Sequence, residues 1–358
     1  MGARIMDAGT SFAGDVRQAF DNQVDYCERN GAGITARVVR ALRDVLRHDD
    51  DVPFLARIRD WPGVALADGL PLRAAGALHG LHLSGQAPEL GPVYAGEPVD
   101  GEAILRAVAR AHSNWLLPWL DGPPQTNEAG RSSSFAAGML WLVDQGLPNR
   151  VEPFEIGSSA GINLMMDRFA WDLGGVVVGA SDPILSFKPE WRGPPPPRHD
   201  LSIAAPSGCD VAPLDLTDPA QALRLKAYIW PEHTERFARL EAAIAEAAIR
   251  PPRLTRMHAA DFVEQQLASP QAEGTTRVLV HSIVWQYLPD EEKKRITAAM
   301  NAAGARATRE RALAWIALEA DRVAMAHSLQ VRYCPGHGEI HRVAAAHAHG
   351  AWVKWLGA

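Results

Sequence analysis

The sequence has few cysteines, no surplus of basic charge and no long apolar run, and each absence excludes a class of protein. Only Cys27, Cys209 and Cys334 occur in 358 residues, and their wide spacing fits neither a CxxC metal site nor a disulfide framework. Lysine and arginine number 36 against 42 aspartates and glutamates, a net charge of -6. This balance disfavours nucleic acid as a partner, because phosphate binding requires surplus positive charge.

Signal-peptide and membrane-spanning patterns are also missing. No stretch of about eighteen apolar residues runs without a charge, and the N-terminal MGARIMDAGTSFAGDVRQAF has early acidic residues and no apolar core of signal-peptide length. We therefore expect a soluble protein with no membrane partner, and its unpaired cysteines indicate a cytoplasmic location. Apolar residues make up 47% of the chain, which is ample for a large core.

The first third of the chain has the periodicity of amphipathic helices. Apolar residues recur three and four positions apart in FAGDVRQAFDNQVDYCERN, ITARVVRALRDVLRHDD and GEAILRAVARAHSNWLLPWL. A shorter helix is expected around residues 72–81. The pattern predicts a helical N-terminal domain over residues 1–122.

Residues 123–358 alternate instead between short strands and helices. An apolar helix, capped by Thr126 or Asn127, leads into the strand FEIG, and further strands are predicted in PSGCDVAP, RLTRMHA, RVLVHSIVW and RALAWIALE. Such alternation is typical of a doubly wound, mostly parallel α/β sheet. WDLGGVVVG and a proline-rich loop indicate an insertion at about 170–200, and LQVRYC with HRVAAAHAHGAWVKWL predicts an antiparallel C-terminal hairpin.

The segment EIGSSAGINL carries the most functional information, because it follows a strand and opens a helix. Gly157 can adopt a positive φ or let a ligand approach the backbone, and Gly161 permits close packing. The helix N-terminus offers free N–H groups, and Glu155 suits a positively charged ligand. The alternative is a tight turn that binds nothing.

This segment resembles motif I of class I S-adenosylmethionine-dependent methyltransferases, where an acidic residue precedes a glycine loop around the methionine part of the cofactor. The resemblance implies a Rossmann-like sheet of methyltransferase type. It also implies that S-adenosylmethionine is the cofactor, bound by Glu155, Gly157, Ser159, Gly161 and Asn163. Ser159 replaces the usual middle glycine, which disfavours the pyrophosphate approach of NAD enzymes.

Two later strand ends extend the resemblance. GCDVAPLD is similar to the segment whose acid binds the ribose hydroxyls, which implies that role for Asp210. Asp210 follows the glycine loop by some fifty residues, so the match requires the insertion at 170–200, and Asp182 is the alternative. HAADF resembles the adenine-side motif and implies Asp261, which is equally an N-cap candidate.

VLVHSIVWQYLPDEE resembles the fourth-strand region of the same enzymes and ends at the sheet edge where ligands bind. His281 is therefore a candidate general base, and Gln286 and Tyr287 are candidate substrate contacts. Glu319, at the end of LAWIALE, is another candidate base. The alternatives are a structural histidine and an aromatic wall.

Five segments together resemble an uncharacterised bacterial family, the domain of unknown function 2332, over nearly the whole chain: QTNEAGRSS, EIGSSAGINL, GCDVAPLDLTDP, YIWPEHTERFARLEAA and VLVHSIVWQYLP. In the first segment Glu128 is a third candidate base, and Asn127 and Arg131 are candidate substrate contacts. The alternative for Glu128 and Arg131 is a helix cap with a solvated ion pair.

The sequence therefore predicts a methyltransferase that uses S-adenosylmethionine and acts on a small molecule. Two alternatives stay open: a non-catalytic protein that binds the cofactor or a related nucleotide as a sensor, and an NAD(P)-dependent oxidoreductase. No metal site is expected, although four histidines crowd the C-terminus, because a hairpin lacks the helical HExxH geometry: His337, His341, His347 and His349.

Overall fold

The computed structural model describes residues 14–48, 51–321, 326–336 and 338–357, in two compact units. The first unit contains Met1–Thr126 and Pro219–Phe237, and the second contains Asn127–Asp218 and Ala238–Ala358. Residues 219–237 thus belong to the helical unit, whereas the sequence pattern put every residue after 122 in the second domain.

Helices occur in each stretch that the periodicity indicated, but residues 101–120 are divided into two α-helices and a 3₁₀ helix. The predicted helices at residues 12–30 and 34–50 are α1 and α2, although the residues before 14 and residues 49–50 lie outside the described ranges. None of the described helices is long and apolar enough to cross a membrane. The α-helices are α1 (Gly14–Arg29), α2 (Gly33–Val45), α3 (Pro53–Arg59), α4 (Leu70–Leu83), α5 (Gly91–Tyr94), α6 (Gly101–Ala111), α7 (Ser113–Leu116), α8 (Ser132–Asp144), α9 (Pro219–Ala227), α10 (Thr234–Ile249), α11 (Ala259–Ala268) and α12 (Asp290–Gly304).

Close packing on α4 explains why residues 219–237 join the first unit. A Cβ on Gly76 would lie 2.6 Å from the ring of Tyr228, so the missing side chain makes room for that ring. His79, one turn further on, hydrogen-bonds through Nδ1 to the carbonyl oxygen of Ala227 at 3.0 Å. Glu232 accepts the backbone N–H of Thr35 at 2.9 Å. These contacts join positions far apart in the chain, which sequence periodicity does not reveal.

The second unit is built on one large sheet, with a small sheet beside it. The large sheet has the order β5-β13-β12-β11-β10-β9-β1-β7-β8, with β6 also paired to β1, and the small sheet has the order β3-β2-β4. The strands are β1 (Arg150–Ile156), β2 (Phe169–Leu173), β3 (Val176–Gly179), β4 (Leu185–Phe187), β5 (Glu190–Arg192), β6 (Ser202–Ile203), β7 (Ser207–Asp210), β8 (Leu254–Arg256), β9 (Thr275–Ser282), β10 (Arg311–Asp321), β11 (Ala326–Cys334), β12 (His341–Ala346) and β13 (Trp352–Trp355).

The prediction of a mostly parallel sheet with antiparallel C-terminal strands is confirmed. β6, β7, β8, β9 and β10 all run parallel to β1 or to its parallel neighbours. From β10 onward the strands pair antiparallel in sequence order, so the predicted hairpin is part of a longer run from β10 to β13. The insertion contains the expected β2–β3 pair, and its last strand, β5, joins the edge of the large sheet beside β13.

The strand order creates a switch point at β1. The chain leaves β1 for β7 and β8 on one side, and then returns to β9 and β10 on the other side. In open α/β sheets the crevice outside the carboxyl ends of the strands at such a reversal is where ligands bind. The candidate binding site is therefore formed by the residues that follow β1, β7, β9 and β10.

Helices cover both faces of the sheet. α8 lies on one face, where a Cβ on Gly138 would be 3.1 Å from Ile316 of β10. On the other face, Phe262 of α11 and Ile296 of α12 belong to one buried apolar cluster with Phe154 and Leu279 of the central strands. This layering buries the central strands on both sides, as a parallel sheet requires.

Candidate functional site

The loop after β1 has an unusual backbone. Gly157 and Gly161 have φ values of 68° and 73°, and Ser159 between them has a φ of 54°, which is uncommon for a residue with a side chain. A Cβ on Gly157 would lie 2.9 Å from the Cβ of Val284, so this loop touches the end of β9 directly. Gly161 then opens a short 3₁₀ helix over Ile162–Arg168, where the sequence pattern predicted a helix.

Two buried oxygen atoms beside this loop lack a donor. Glu155 is 2% exposed and Asn163 is 1% exposed, and Asn163 Nδ2 donates to Glu155 Oε1 at 3.1 Å. Glu155 Oε2 and Asn163 Oδ1 have no hydrogen-bond partner among the described residues. Burial raises the pKa of Glu155 to about 7. Buried polar atoms are normally hydrogen-bonded, so two neighbouring acceptors without a donor leave room for a donor group between the loop and these side chains.

Asp210, at the end of β7, holds the glycine loop in place. Its Oδ2 accepts the N–H of Ser159 at 2.9 Å, and its Oδ1 accepts the N–H of Ala212 at 2.9 Å. The structure therefore brings Asp210 to the loop. The alternative candidate, Asp182, is exposed and precedes β4 of the small sheet.

This geometry predicts the effect of Asp210→Asn. An amide keeps only one acceptor oxygen, so one of the two N–H groups loses its partner, and we expect a loss of about 1–2 kcal/mol in the free energy of unfolding. Urea denaturation measures this change. The matched control is Asp182→Asn, which should leave stability unchanged, and equal effects of the two variants would contradict the role of Asp210.

Three polar side chains of the segment before α8 accept or donate hydrogen bonds, and two of them, Glu128 and Arg131, are buried. Asn127 Oδ1 accepts the N–H of Ile162 at 2.9 Å and so contacts the 3₁₀ helix after the glycine loop. Glu128 Oε1 accepts the N–H of Gly130 at 3.1 Å. Arg131 Nε donates to the carbonyl oxygen of Ala348 at 2.8 Å.

Two sequence interpretations of this segment are wrong. Thr126 or Asn127 was expected to cap α8, but a 3₁₀ turn over Ala129–Arg131 precedes that helix and the side chain of Glu128 caps the turn. A solvated pair of Glu128 and Arg131 is also excluded, because Glu128 is 4% and Arg131 is 5% exposed. Arg131 lies close enough to Glu155 that its charge acts against the rise in the pKa of Glu155.

His281 and Glu319 form a close pair at the ends of β9 and β10. The distance from His281 Nδ1 to Glu319 Oε1 is 2.6 Å, and the same oxygen accepts the N–H groups of Val284 and Trp285 at 3.2 Å each. Burial opposes the ionisation of Glu319, but the hydrogen bond and charge of His281, together with the two backbone N–H groups, outweigh it and hold the pKa of Glu319 below its ordinary value. Glu319 is therefore a carboxylate that fixes the turn after β9.

That turn is strained. Ile283 has a φ of 55°, a conformation that a β-branched residue rarely adopts. Strain of this kind tends to persist at functional sites. Ser159 after β1 and Ile283 after β9 therefore both have a strained backbone, and the ends of these two strands are neighbours in the sheet.

Three further residues predicted for the site, Asp261, Gln286 and Tyr287, belong neither to the glycine loop nor to the His281–Glu319 pair. Asp261 pairs with Arg295 of α12 at 2.7 Å and stands in the first turn of α11, whose N-cap is His258, so the N-cap alternative for Asp261 is wrong. Gln286 is exposed and Tyr287 is 71% exposed, on a 3₁₀ turn over Trp285–Tyr287.

The C-terminal histidines do not form a metal site within the described ranges. His337 lies outside the described residues. No group of three or more histidine, cysteine, aspartate or glutamate side chains among the described residues is arranged to hold a metal ion. The carbonyl group of His349 instead lies against Gly130.

The sequence analysis missed Trp315 and Arg332, which line a pocket with His281 and Glu319. The signal for Trp315 was present, because Trp315, Ala317 and Glu319 alternate along one strand and therefore share a face of the sheet. Arg332 is opposite Trp315 on β11, a pairing that depends on strand register. Register of this kind is not fixed by a single sequence.

The fold and the loop define an α/β protein with a glycine loop at the switch point of its sheet. The sequence matches the family model described as "Uncharacterized protein conserved in bacteria (DUF2332)" over residues 17–355. The chain belongs to this family, which confirms the resemblance of its five segments to the domain of unknown function 2332. Searches of curated proteins and of solved structures gave no match.

Proposed function

We propose that this protein binds S-adenosylmethionine at the loop after β1 and transfers its methyl group to a small-molecule acceptor. The observation that carries the proposal is the pair of buried acceptor atoms without donors, Glu155 Oε2 and Asn163 Oδ1. The methionine part of this cofactor has an ammonium group, which offers three N–H donors and a positive charge. It would satisfy both oxygens and compensate the buried carboxylate.

The charge around the loop favours this cofactor over a dinucleotide. Glu155 and Asp210 bring two carboxyl groups to the loop, whereas a pyrophosphate requires N–H groups and positive charge. Ser159 also puts a side chain where dinucleotide enzymes have a glycine that permits close approach of the phosphates. The loop also follows β1, where the strand order reverses, and ligands of open α/β sheets bind at such a point.

The side chains of this unit supply binding and positioning. Glu155, Gly157, Ser159 and Asn163 would hold the cofactor, which supplies an electrophilic methyl group. The protein's own contribution is to orient the acceptor and to exclude water. Cys209 does not serve as a nucleophile, because burial raises the pKa of its thiol to about 12 and the thiolate is the reactive form.

Three side chains are candidates for the general base, and their partners differ. Glu128 is buried against the N–H of Gly130, and Glu319 holds the turn after β9. His281 Nε2 has no hydrogen-bond partner among the described residues, while Glu319 orients its other ring nitrogen. Glu319 is therefore the residue that positions the His281 ring.

The affinity for S-adenosylmethionine should rise with pH. An ammonium group gains from Glu155 only when this carboxyl is ionised, and its pKa is about 7. The dissociation constant should fall by close to tenfold per pH unit below this pKa and become constant above it. Calorimetric titrations from about pH 5.5 to about pH 8.5 measure this profile, and a profile that is flat in the wild type would contradict the role of Glu155.

Calorimetry against four ligands at alkaline pH tests the function itself: S-adenosylmethionine, S-adenosylhomocysteine, NAD and NADP. We expect the two sulfur-containing ligands to bind and the dinucleotides not to bind. Binding of the dinucleotides alone would overturn the proposal in favour of an oxidoreductase. Tight binding of S-adenosylmethionine without methyl transfer to any component of a metabolite extract would favour a sensor.

A further inference from the structure

The pocket that His281 and Glu319 line has a volume of about 250 Å³ and lies on the strands β9, β10 and β11. Val280 pairs with Glu155 of β1, so its neighbour His281 points to the opposite face of the sheet from Glu155. The pocket is therefore distinct from the surroundings of Glu155 and Asn163. Its lining includes Trp285, Trp315, Glu319, Gln330, Arg332 and Ile340.

One end of this pocket is acidic. Oε1 of Glu319 accepts hydrogen bonds from His281, Val284 and Trp285. Oε2 makes no hydrogen bond within the described part of the chain, and the side chain is 21% exposed. A charged oxygen is thus left to meet a ligand.

The middle of the pocket is aromatic. The rings of Trp285 and Trp315 meet edge to face with centroids 5.3 Å apart, and His281 stacks on Trp285 at 5.2 Å. Indole rings give a large apolar contact, and their faces attract flat groups and organic cations.

The other end is basic. Arg332 lies opposite Trp315 in the β10–β11 pair, and its Nη2 donates to Asn301 Oδ1 at 2.7 Å. No carboxylate pairs with Arg332 among the described residues. Trp315 precedes Glu319 by four positions, so the two charged ends are about 13 Å apart along the strand.

We infer that this pocket binds an elongated zwitterion, with an amine at Glu319, a carboxylate at Arg332 and a flat or apolar middle against the two tryptophans. Glu319 supplies the negative charge that the amine requires, and Arg332 supplies the positive charge that the carboxylate requires. The planar guanidinium of arginine also matches the planar carboxylate. This binding does not depend on the proposed function, because the pocket is separate from the glycine loop.

Three probes of related shape test the pocket: 4-(aminomethyl)benzoate, benzylamine and benzoate. Ligand-observed NMR titration of the full chain should give at least tenfold tighter binding of the zwitterion than of either fragment. Glu319→Gln should abolish benzylamine binding, and Arg332→Gln should abolish benzoate binding. Each should weaken the zwitterion at least tenfold. Both substitutions keep an amide that can continue the hydrogen bonds to the turn after β9 or to Asn301.

Matched controls lie at the opposite end of β10. Glu310→Gln removes a negative charge and Arg311→Gln removes a positive charge, both outside the pocket. Both variants should bind all three probes as the wild type does. Equal affinity of the wild type for the three probes, or unchanged binding by Arg332→Gln, would overturn the inference. Affinity for S-adenosylmethionine, measured separately, reports on the proposed function, so failure of the two proposals is distinguishable.

Discussion

Replacing Glu155 by glutamine is expected to weaken the binding of S-adenosylmethionine about 100-fold, because the variant loses a charge-assisted hydrogen bond inside a buried site. The NH₂ group of the glutamine would take the place of the unpartnered oxygen. It would then oppose the ligand's ammonium group, because both are hydrogen-bond donors. Calorimetric titration at about pH 8 measures the loss.

The same substitution should stabilise the protein at alkaline pH. The pKa of Glu155 is raised from 4.5 to about 7 by burial, so the wild type loses stability as the pH rises through this window, and the loss is complete above it. Glutamine stays neutral, and the variant should exceed the wild type by roughly 3 kcal/mol above this window, with no comparable gain at about pH 4.5. Urea denaturation at both pH values measures the difference.

Glu152→Gln is the matched control, because Glu152 lies on the same strand at its opposite end and is only half-buried. It should bind S-adenosylmethionine as the wild type does, and it should not gain stability with rising pH. If Glu155→Gln binds the cofactor normally, the ammonium does not lie at Glu155.

Gly157→Ala should cost about 3 kcal/mol of unfolding free energy. A side chain at a φ of 68° costs about 1–2 kcal/mol, and overpacking against Val284 adds about as much. The new Cβ would lie 2.9 Å from the Cβ of Val284, so the loop must move away from β9. Cofactor binding should be lost together with this contact.

Gly274→Ala separates the two costs. Gly274 has a φ of 70°, but a Cβ there would meet nothing within 4 Å, so its loss should be only about 1 kcal/mol. Adding Val284→Ala to Gly157→Ala should restore part of the stability, since it removes Cγ2, the atom of Val284 nearest the new Cβ, although the Cβ of residue 284 remains. Equal losses for both glycines would show that the loop does not pack on β9.

The fold was predictable where its signal is local. The alternation of strands and helices after residue 123 and the glycine loop after FEIG each depend on neighbouring residues, and both are present as β1 and its loop. The same holds for the hairpin in WDLGGVVVG, where consecutive glycines provide the turn between β2 and β3.

The sequence did not predict features that depend on distant pairs. The packing of Tyr228 on Gly76 joins residues some 150 positions apart, and it decides that residues 219–237 belong to the helical unit. The sequence indicated Glu155 and Asn163 as candidate site residues one by one. Their mutual hydrogen bond and the two unpartnered oxygens required the three-dimensional structure.

A crystal structure with S-adenosylhomocysteine bound would show directly whether the cofactor lies at Glu155, since this product of methyl transfer keeps the ammonium group. We expect the ligand's ammonium nitrogen within hydrogen-bond distance of Glu155 Oε2 and Asn163 Oδ1, with the chain of the ligand along the loop from Gly157 to Gly161. A ligand bound elsewhere, with both oxygens still without a donor, would contradict it.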